Sequence, residues 1–187
     1  MSRLFFAADI PEEERALLGK LQQELKQFKA DVKWVEPKNL HITLRFLGDV
    51  HQKQIPELKR IGEEVGKLYG GFQLSFKALG VFPPKSPARV VWAGIDEGKT
   101  HVSMLAQAVT SRVSKLKVEK EEHEFKPHVT LGRIKNPNTT QELLLGLQLH
   151  DFESRTWLLK NFVLKESILS KSGSTYKDLL VFPLGKR

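Results

Sequence analysis

The chain has 187 residues, 40% hydrophobic and 28% charged, with 30 Lys and Arg against 22 Asp and Glu and no cysteine. That length supports a buried core in one domain spanning 1–187, or two small lobes packed together. The missing cysteines exclude disulfides and thiolate zinc sites and are compatible with a reducing cytoplasm, the expected location. A formal charge of +8 favours an anionic partner such as nucleic acid, but the lysines are scattered, so charge alone decides nothing.

Residues 3–9 read as a buried first strand, too short and too soon interrupted by Asp9 and Pro11 for a signal peptide or a membrane span. Pro11 followed by Glu12, Glu13 and Glu14 starts a helix, with the proline in its first turn and the acids at the positive end of its dipole. Leu17, Leu21, Leu25 and Phe28 form its expected buried stripe. Short strands follow at 32–35 and 40–47, the second closed by Gly48-Asp49, and then a helix with Ile55, Leu58, Ile61, Val65 and Leu68 on one face.

Phe72, Leu74, Phe76 and Ala78 alternate with polar residues, which predicts one half-buried strand. Gly70-Gly71 reads as a turn, and Pro83-Pro84-Lys85-Ser86-Pro87 as a loop. A strand at 89–95 precedes a helix over about 100–116, carrying Val102, Leu105, Val109, Val113 and Leu116. Then come a strand at 127–133, a short helix at 139–147, and two β-rich stretches at about 155–169 and 175–182. Ser170 to Ser174 separates these last two. The irregular mixture of strands and helices points to α+β rather than a doubly wound sheet. The chain also holds a rough internal echo, because each half offers helices, a few strands and the same four-residue pattern.

That pattern is His-x-Thr-Leu with an aliphatic x: His41-Ile42-Thr43-Leu44 and His128-Val129-Thr130-Leu131. On a strand, residues two apart share a face, so each histidine and its threonine project together while the aliphatic residues enter the core. Imidazole exchanges protons near neutral pH, and a neighbouring hydroxyl can donate to a phosphoryl oxygen. In-line displacement at phosphorus needs a base on the attacking side and an acid on the leaving side. Two such strands facing one cleft meet that need without a metal. One His-x-Thr is an ordinary accident; two with matched flanks on two predicted strands are not.

These residues resemble the 2H phosphoesterase superfamily, and more closely its RNA 2′,3′-cyclic phosphodiesterases, formerly described as 2′-5′ RNA ligases. The resemblance also rests on the opening Arg3 to Pro11, on Asn39 to Gly48, on Arg89-Val90-Val91-Trp92-Ala93-Gly94, on Phe125 to Arg133, and on Tyr176 after a Ser/Gly loop. It implies a bilobal fold of two pseudo-symmetric lobes of antiparallel strands, with outer helices around a central cleft. It also implies hydrolysis of an RNA-terminal 2′,3′-cyclic phosphate to a 2′-phosphomonoester without metal or other cofactor. By the same resemblance His41 is the proton donor to the leaving 3′ oxygen and His128 the proton acceptor from water; sequence symmetry does not distinguish them. Other readings are a different 2H specificity, such as 2′-5′ RNA ligation or cleavage or ADP-ribose 1″,2″-cyclic phosphate, and a nucleotide-binding module without turnover. The expected partner is RNA or a nucleotide bearing the cyclic phosphate, bound by a monomer because one chain completes the cleft.

Further candidates surround the motifs. Strand alternation puts Arg45 on the His41 face, as a phosphate contact or a solvated strand end. Arg133 has the opposite parity from His128 unless a bulge forms at Gly132; the resemblance places an arginine there. Phe5 or Phe6 could offer a ring to a base, although alternation sends one of them into the core. Tyr176 could reach the cleft or pack in its strand, and Trp34 and Trp92 read as core or cleft wall. His51, His101, His123 and His150 lack motif partners, and Glu121, Glu122 and Glu124 read as a solvated stretch without metal-ligand spacing. No Walker A loop or Gly-x-Gly-x-x-Gly is present, which argues against an ATP-dependent ligase.

Overall fold

The computed structural model describes residues 1–84, 87–120, 124–170 and 173–185. Lys85 and Ser86 of the proline loop, Glu121, Glu122 and His123, and Lys171 and Ser172 of the Ser/Gly stretch lie outside the described residues. In chain order the elements are β1 (Ser2–Asp9), α1 (Glu12–Leu25), β2 (Val32–Trp34), β3 (His41–Val50), α2 (Ile55–Leu68), β4 (Phe72–Leu74) and β5 (Phe76–Phe82). They continue with β6 (Val90–Ile95), α3 (Lys99–Val113), β7 (His128–Ile134), α4 (Gln141–Leu149), β8 (Trp157–Leu159), β9 (Asn161–Ser170) and β10 (Gly173–Pro183). The α+β expectation holds. Among the described residues no helix is long and apolar enough to cross a membrane.

The strands form one antiparallel path in the order β10-β9-β1-β3-β7-β6-β5, with β2 added on β7. Leaving out the outer β10, exchanging β1 with β6, β3 with β7 and β9 with β5 maps the remaining six strands onto the same order, so two equivalent lobes meet at the β3–β7 seam. Helices α2 and α3 pack on the β1–β3–β9–β10 lobe, and α4 packs on β5 of the other. From α1, Gln22 is buried and donates to the carbonyls of Val35 (2.7 Å) and Leu131 (2.8 Å), tying that helix to the second lobe. The lobes are not the two halves of the sequence. Each repeat, β1-α1-β3-α2-β4-β5 or β6-α3-β7-α4-β8-β9, sends its last strand across to the other lobe.

That crossing explains two strands the sequence pattern joins and the structure divides. Stretch 72–78 breaks at Ser75, and stretch 155–169 breaks at Lys160, giving β4 and β8, which pair with each other as a separate two-stranded sheet. At the first break Ser75 is buried. Its backbone N–H donates to the Glu97 carbonyl, while its own carbonyl and hydroxyl accept from Asp96 and Glu97. The change of sheet therefore leaves no backbone group stranded. Beyond it the alternation fails, because Ala78 adopts φ 63° at an irregularity in β5 and faces solvent.

The helix faces also shift slightly. In α1 the buried stripe is Glu14, Leu18, Leu21, Gln22 and Leu25, with Leu17 and Phe28 only packed against the core. Pro11 is the N-cap rather than a first-turn residue. Glu14 is buried against the Arg155 guanidinium (3.0 Å), and burial raises its carboxyl above the usual range. In α2, Leu58, Ile61 and Val65 are buried while Leu68 is exposed at the C-terminus. Hydrophobic residues from both lobes join in one core cluster, including Phe6, Leu44 and Leu131.

Candidate active site

Strands β3 and β7 meet at a single antiparallel pair, Ile42 opposite Val129. Continuing that register places His41 across from Thr130 and Thr43 across from His128. The four motif side chains therefore occupy one face at the seam between the lobes, and Ile42 and Val129 are fully buried on the other. All four line one cavity of about 220 Å³.

The same irregularity follows both motifs. Along β1 and β3, Ala7 pairs with Thr43 but Phe6 with Arg45, leaving Leu44 as an extra residue. Along β6 and β7, Trp92 pairs with Thr130 but Val91 with Gly132, leaving Leu131 as an extra residue. A bulge of this kind inverts the alternation beyond it. Arg133 thus joins the His128 face and lines the cavity, by a bulge at Leu131 beside the anticipated Gly132.

In β3 the same inversion corrects the reading of Arg45. That side chain is 4% exposed and points inward, where its Nη2 donates to the Glu119 carbonyl. It holds the segment preceding the second motif and does not line the cavity. Phe46, 50% exposed, takes the place alternation assigned to Arg45. The sequence reading passed over Phe46; the signal available was its spacing, five after His41, as Arg133 is five after His128.

Each imidazole is oriented in the same way. His41 Nδ1 lies 2.7 Å from the Asn39 carbonyl and His128 Nδ1 2.6 Å from that of Lys126. A carbonyl only accepts, so each Nδ1 carries hydrogen and each neutral Nε2 keeps a lone pair for proton exchange. The Thr130 hydroxyl lies 3.3 Å from His128 Nε2 and donates to it in that tautomer. Rings hold both imidazoles. His41 packs on Phe5 (centroids 5.0 Å) and edge-on to Tyr176 (4.9 Å), and His128 is edge-on to Phe82 (5.1 Å).

Burial is the main reason that both imidazoles resist protonation. Desolvation lowers His41 to about 4, opposed by its hydrogen bond to Asn39; the Lys165 charge lowers it further and Asp9 raises it. His128 is also lowered, chiefly by desolvation and then by the Arg133 charge, against the hydrogen bond to Lys126. A bound anion would reverse much of this by favouring the protonated forms.

Tyr176 lines the cavity, as does Phe5, but Phe5 is only 2% exposed. It supports His41 from behind and has no face open for a base. Phe6 lies in the core against Phe162 and Phe182. Trp92 stacks on Phe82 (5.2 Å), and Trp34 packs against the core. Arg3, Asn39, Ser167 and Ser174 complete the polar lining. The other described histidines stand away from it: His51 opens the turn before α2, His101 stacks on Phe72, and His150 bonds Glu24 (2.9 Å).

The family described as LigT like Phosphoesterase matches residues 9–92 and again 94–176, one motif in each match. The chain belongs to that family. Its relatives include proteins named RNA 2′,3′-cyclic phosphodiesterase from Methanothermobacter thermautotrophicus, 34% identical over 97% of this chain and 98% of that one. One of the same name from Archaeoglobus fulgidus is 37% identical over 96% and 99%. A crystal structure of a Thermus thermophilus protein superposes with a TM-score of 0.82 at 29% identity, covering 97% of each chain. Escherichia coli LigT complexed with 3′-AMP superposes at 0.80 and 23% identity over 99% of each, a likeness of fold.

Proposed function

We propose that this LigT-like phosphoesterase hydrolyses 2′,3′-cyclic phosphates at RNA ends, leaving a 2′-phosphomonoester. The observation that carries the reading is the antiparallel seam, which faces two equivalently tethered imidazoles, each beside a threonine, into one cavity. Relatives bearing the name RNA 2′,3′-cyclic phosphodiesterase over nearly the whole chain support the same substrate class.

In this reaction water adds to phosphorus as the bond from phosphorus to the 3′ oxygen breaks. His128 Nε2 takes the proton from water, and protonated His41 Nε2 gives one to the departing oxygen. Thr43 and Thr130 donate to phosphoryl oxygens, and Arg133 balances the charge that builds on them. The chemistry needs no metal, and the whole chain works as one bilobal domain and as a monomer in the cytoplasm. Strand exchange between the lobes supports the single domain, since neither repeat closes its own sheet.

The test is turnover of a 2′,3′-cyclic mononucleotide and of RNA ending in a cyclic phosphate, in chelator, with the product isomer identified. Formation of the 2′-phosphate is expected. Loss of activity in EDTA with recovery on adding a divalent ion would replace the two-histidine reading by a metal-dependent one. Turnover confined to ADP-ribose 1″,2″-cyclic phosphate or to a 2′-5′ linkage would move the chain to another 2H specificity.

A further inference from the structure

A second cavity, of about 450 Å³, lies beside the first and shares Asn39, His41 and Tyr176 with it. The first, at about 220 Å³, falls below the ~300–1,000 Å³ usual for a ligand site, so a nucleotide chain seated there must continue beyond it. On the reading proposed above, His41 stands on the leaving-oxygen side. The space past His41 is therefore on the side of the ribose, where the rest of the RNA must leave.

The charges of the second cavity fall into three sets. Lys165 Nζ is held between Asp9 (2.8 Å) and Asp178 (2.5 Å), a set that keeps one negative charge and holds it around the lysine. Lys38 pairs with Glu36 (2.8 Å) in solvent. Arg15, half-buried on α1, lines the cavity, and among the described residues no carboxylate lies within ion-pairing distance of it. Arg60, Arg112 and Arg155 are paired with acids; of the other exposed arginines without an ion pair among the described residues, Arg3 and Arg133 line the first cavity and Arg89 lies outside both. A half-buried guanidinium with no acid, opening on a cavity next to a phosphate site, is suited to a phosphodiester.

We propose that this cavity is an anion subsite for the phosphodiester preceding the cyclic phosphate, with Arg15 as its anchor, so that the enzyme prefers an oligonucleotide end to a cyclic mononucleotide. The inference rests on the proposed activity. It is tested by kcat/KM for a 2′,3′-cyclic mononucleotide, a dinucleotide ending in the cyclic phosphate, and the same dinucleotide with an uncharged methylphosphonate linkage.

The wild type should favour the charged dinucleotide over both others by roughly tenfold, the size of one charge-assisted contact. Arg15→Ala should abolish that advantage, Arg15→Lys should keep part of it, and the salt dependence on the charged dinucleotide should weaken in Arg15→Ala. An advantage that survives Arg15→Ala, a wild type without one, or an equal loss on all three substrates would overturn the subsite while leaving the activity standing. No turnover of any of the three would remove the activity, and the subsite with it.

Discussion

The first motif strand and the second share a backbone and differ in their surroundings. Both histidines donate Nδ1–H to the carbonyl two residues upstream, and in both strands an extra leucine follows the threonine. Yet the residue paired with His41 is Asp9, while Gly94 pairs with His128. Phe5 faces Lys165, where its counterpart Val90 faces Phe82. The fifth residue along is Phe46 in one strand and Arg133 in the other. A repeated backbone thus brings two equivalently tethered imidazoles to one cavity, while their neighbours differ. The His41 side carries the buried Lys165 between two partly exposed aspartates, and the His128 strand carries a guanidinium, Arg133, that lines the cavity.

The hardest blow to this symmetry is removal of either imidazole. His41→Ala and His128→Ala should each lower kcat by ~10²–10⁴, and the double variant should fall little below the worse single one, because the two act as a unit. Steady-state turnover of a cyclic nucleotide measures this; activity persisting in both singles would contradict the pairing. Arg133 and Arg45 sharpen the comparison one step further out. Arg133→Ala should cost ~10–100-fold in kcat/KM, the loss of a charged hydrogen bond. Arg45→Met should instead lower the unfolding midpoint, through the freed Glu119 carbonyl, while the folded enzyme keeps its KM.

Thr43→Val and Thr130→Val should each cost about tenfold in kcat, as expected for one hydroxyl donor. Thr130→Val should also move the pH profile, since its hydroxyl reaches His128 Nε2. The smallest effect is on acidity itself. Both imidazoles lie below the ordinary histidine value, so kcat/KM should trace a bell centred below pH 6.5 and kcat one shifted upward by the bound anion. Between about 4 and 6.5 the unfolded chain binds more protons at position 41 than the folded one, so this group costs stability as pH falls. Denaturant midpoints should therefore show His41→Gln gaining on the wild type from pH 6.5 to pH 4.5; a constant gap would contradict the buried neutral state.

Much of this was legible along the chain. The two His-x-Thr-Leu patterns needed only period-two geometry to put His41 with Thr43 and His128 with Thr130, and apolar periodicity located α1, α2 and α3. Residue patterning is local, however, and three decisions are not. Register across β3 and β7 depends on strands 87 residues apart, counting from Ile42 to Val129. The division of stretch 72–78 at Ser75 depends on β8, with which β4 pairs only after folding. The bulges at Leu44 and Leu131 depend on the partner strands β1 and β6, and they reversed the parity on which Arg45 was read.

The sequence by itself determined the candidate proton-transfer groups, because imidazole and hydroxyl chemistry belongs to the side chains and their two-residue spacing survives in any strand. Only the tertiary structure decided that Arg133 and not Arg45 lines the cavity, and that Phe5 lies buried against His41. Those outcomes depend on how one strand lies against another, and a single extra residue in a ladder sends every later side chain to the opposite face.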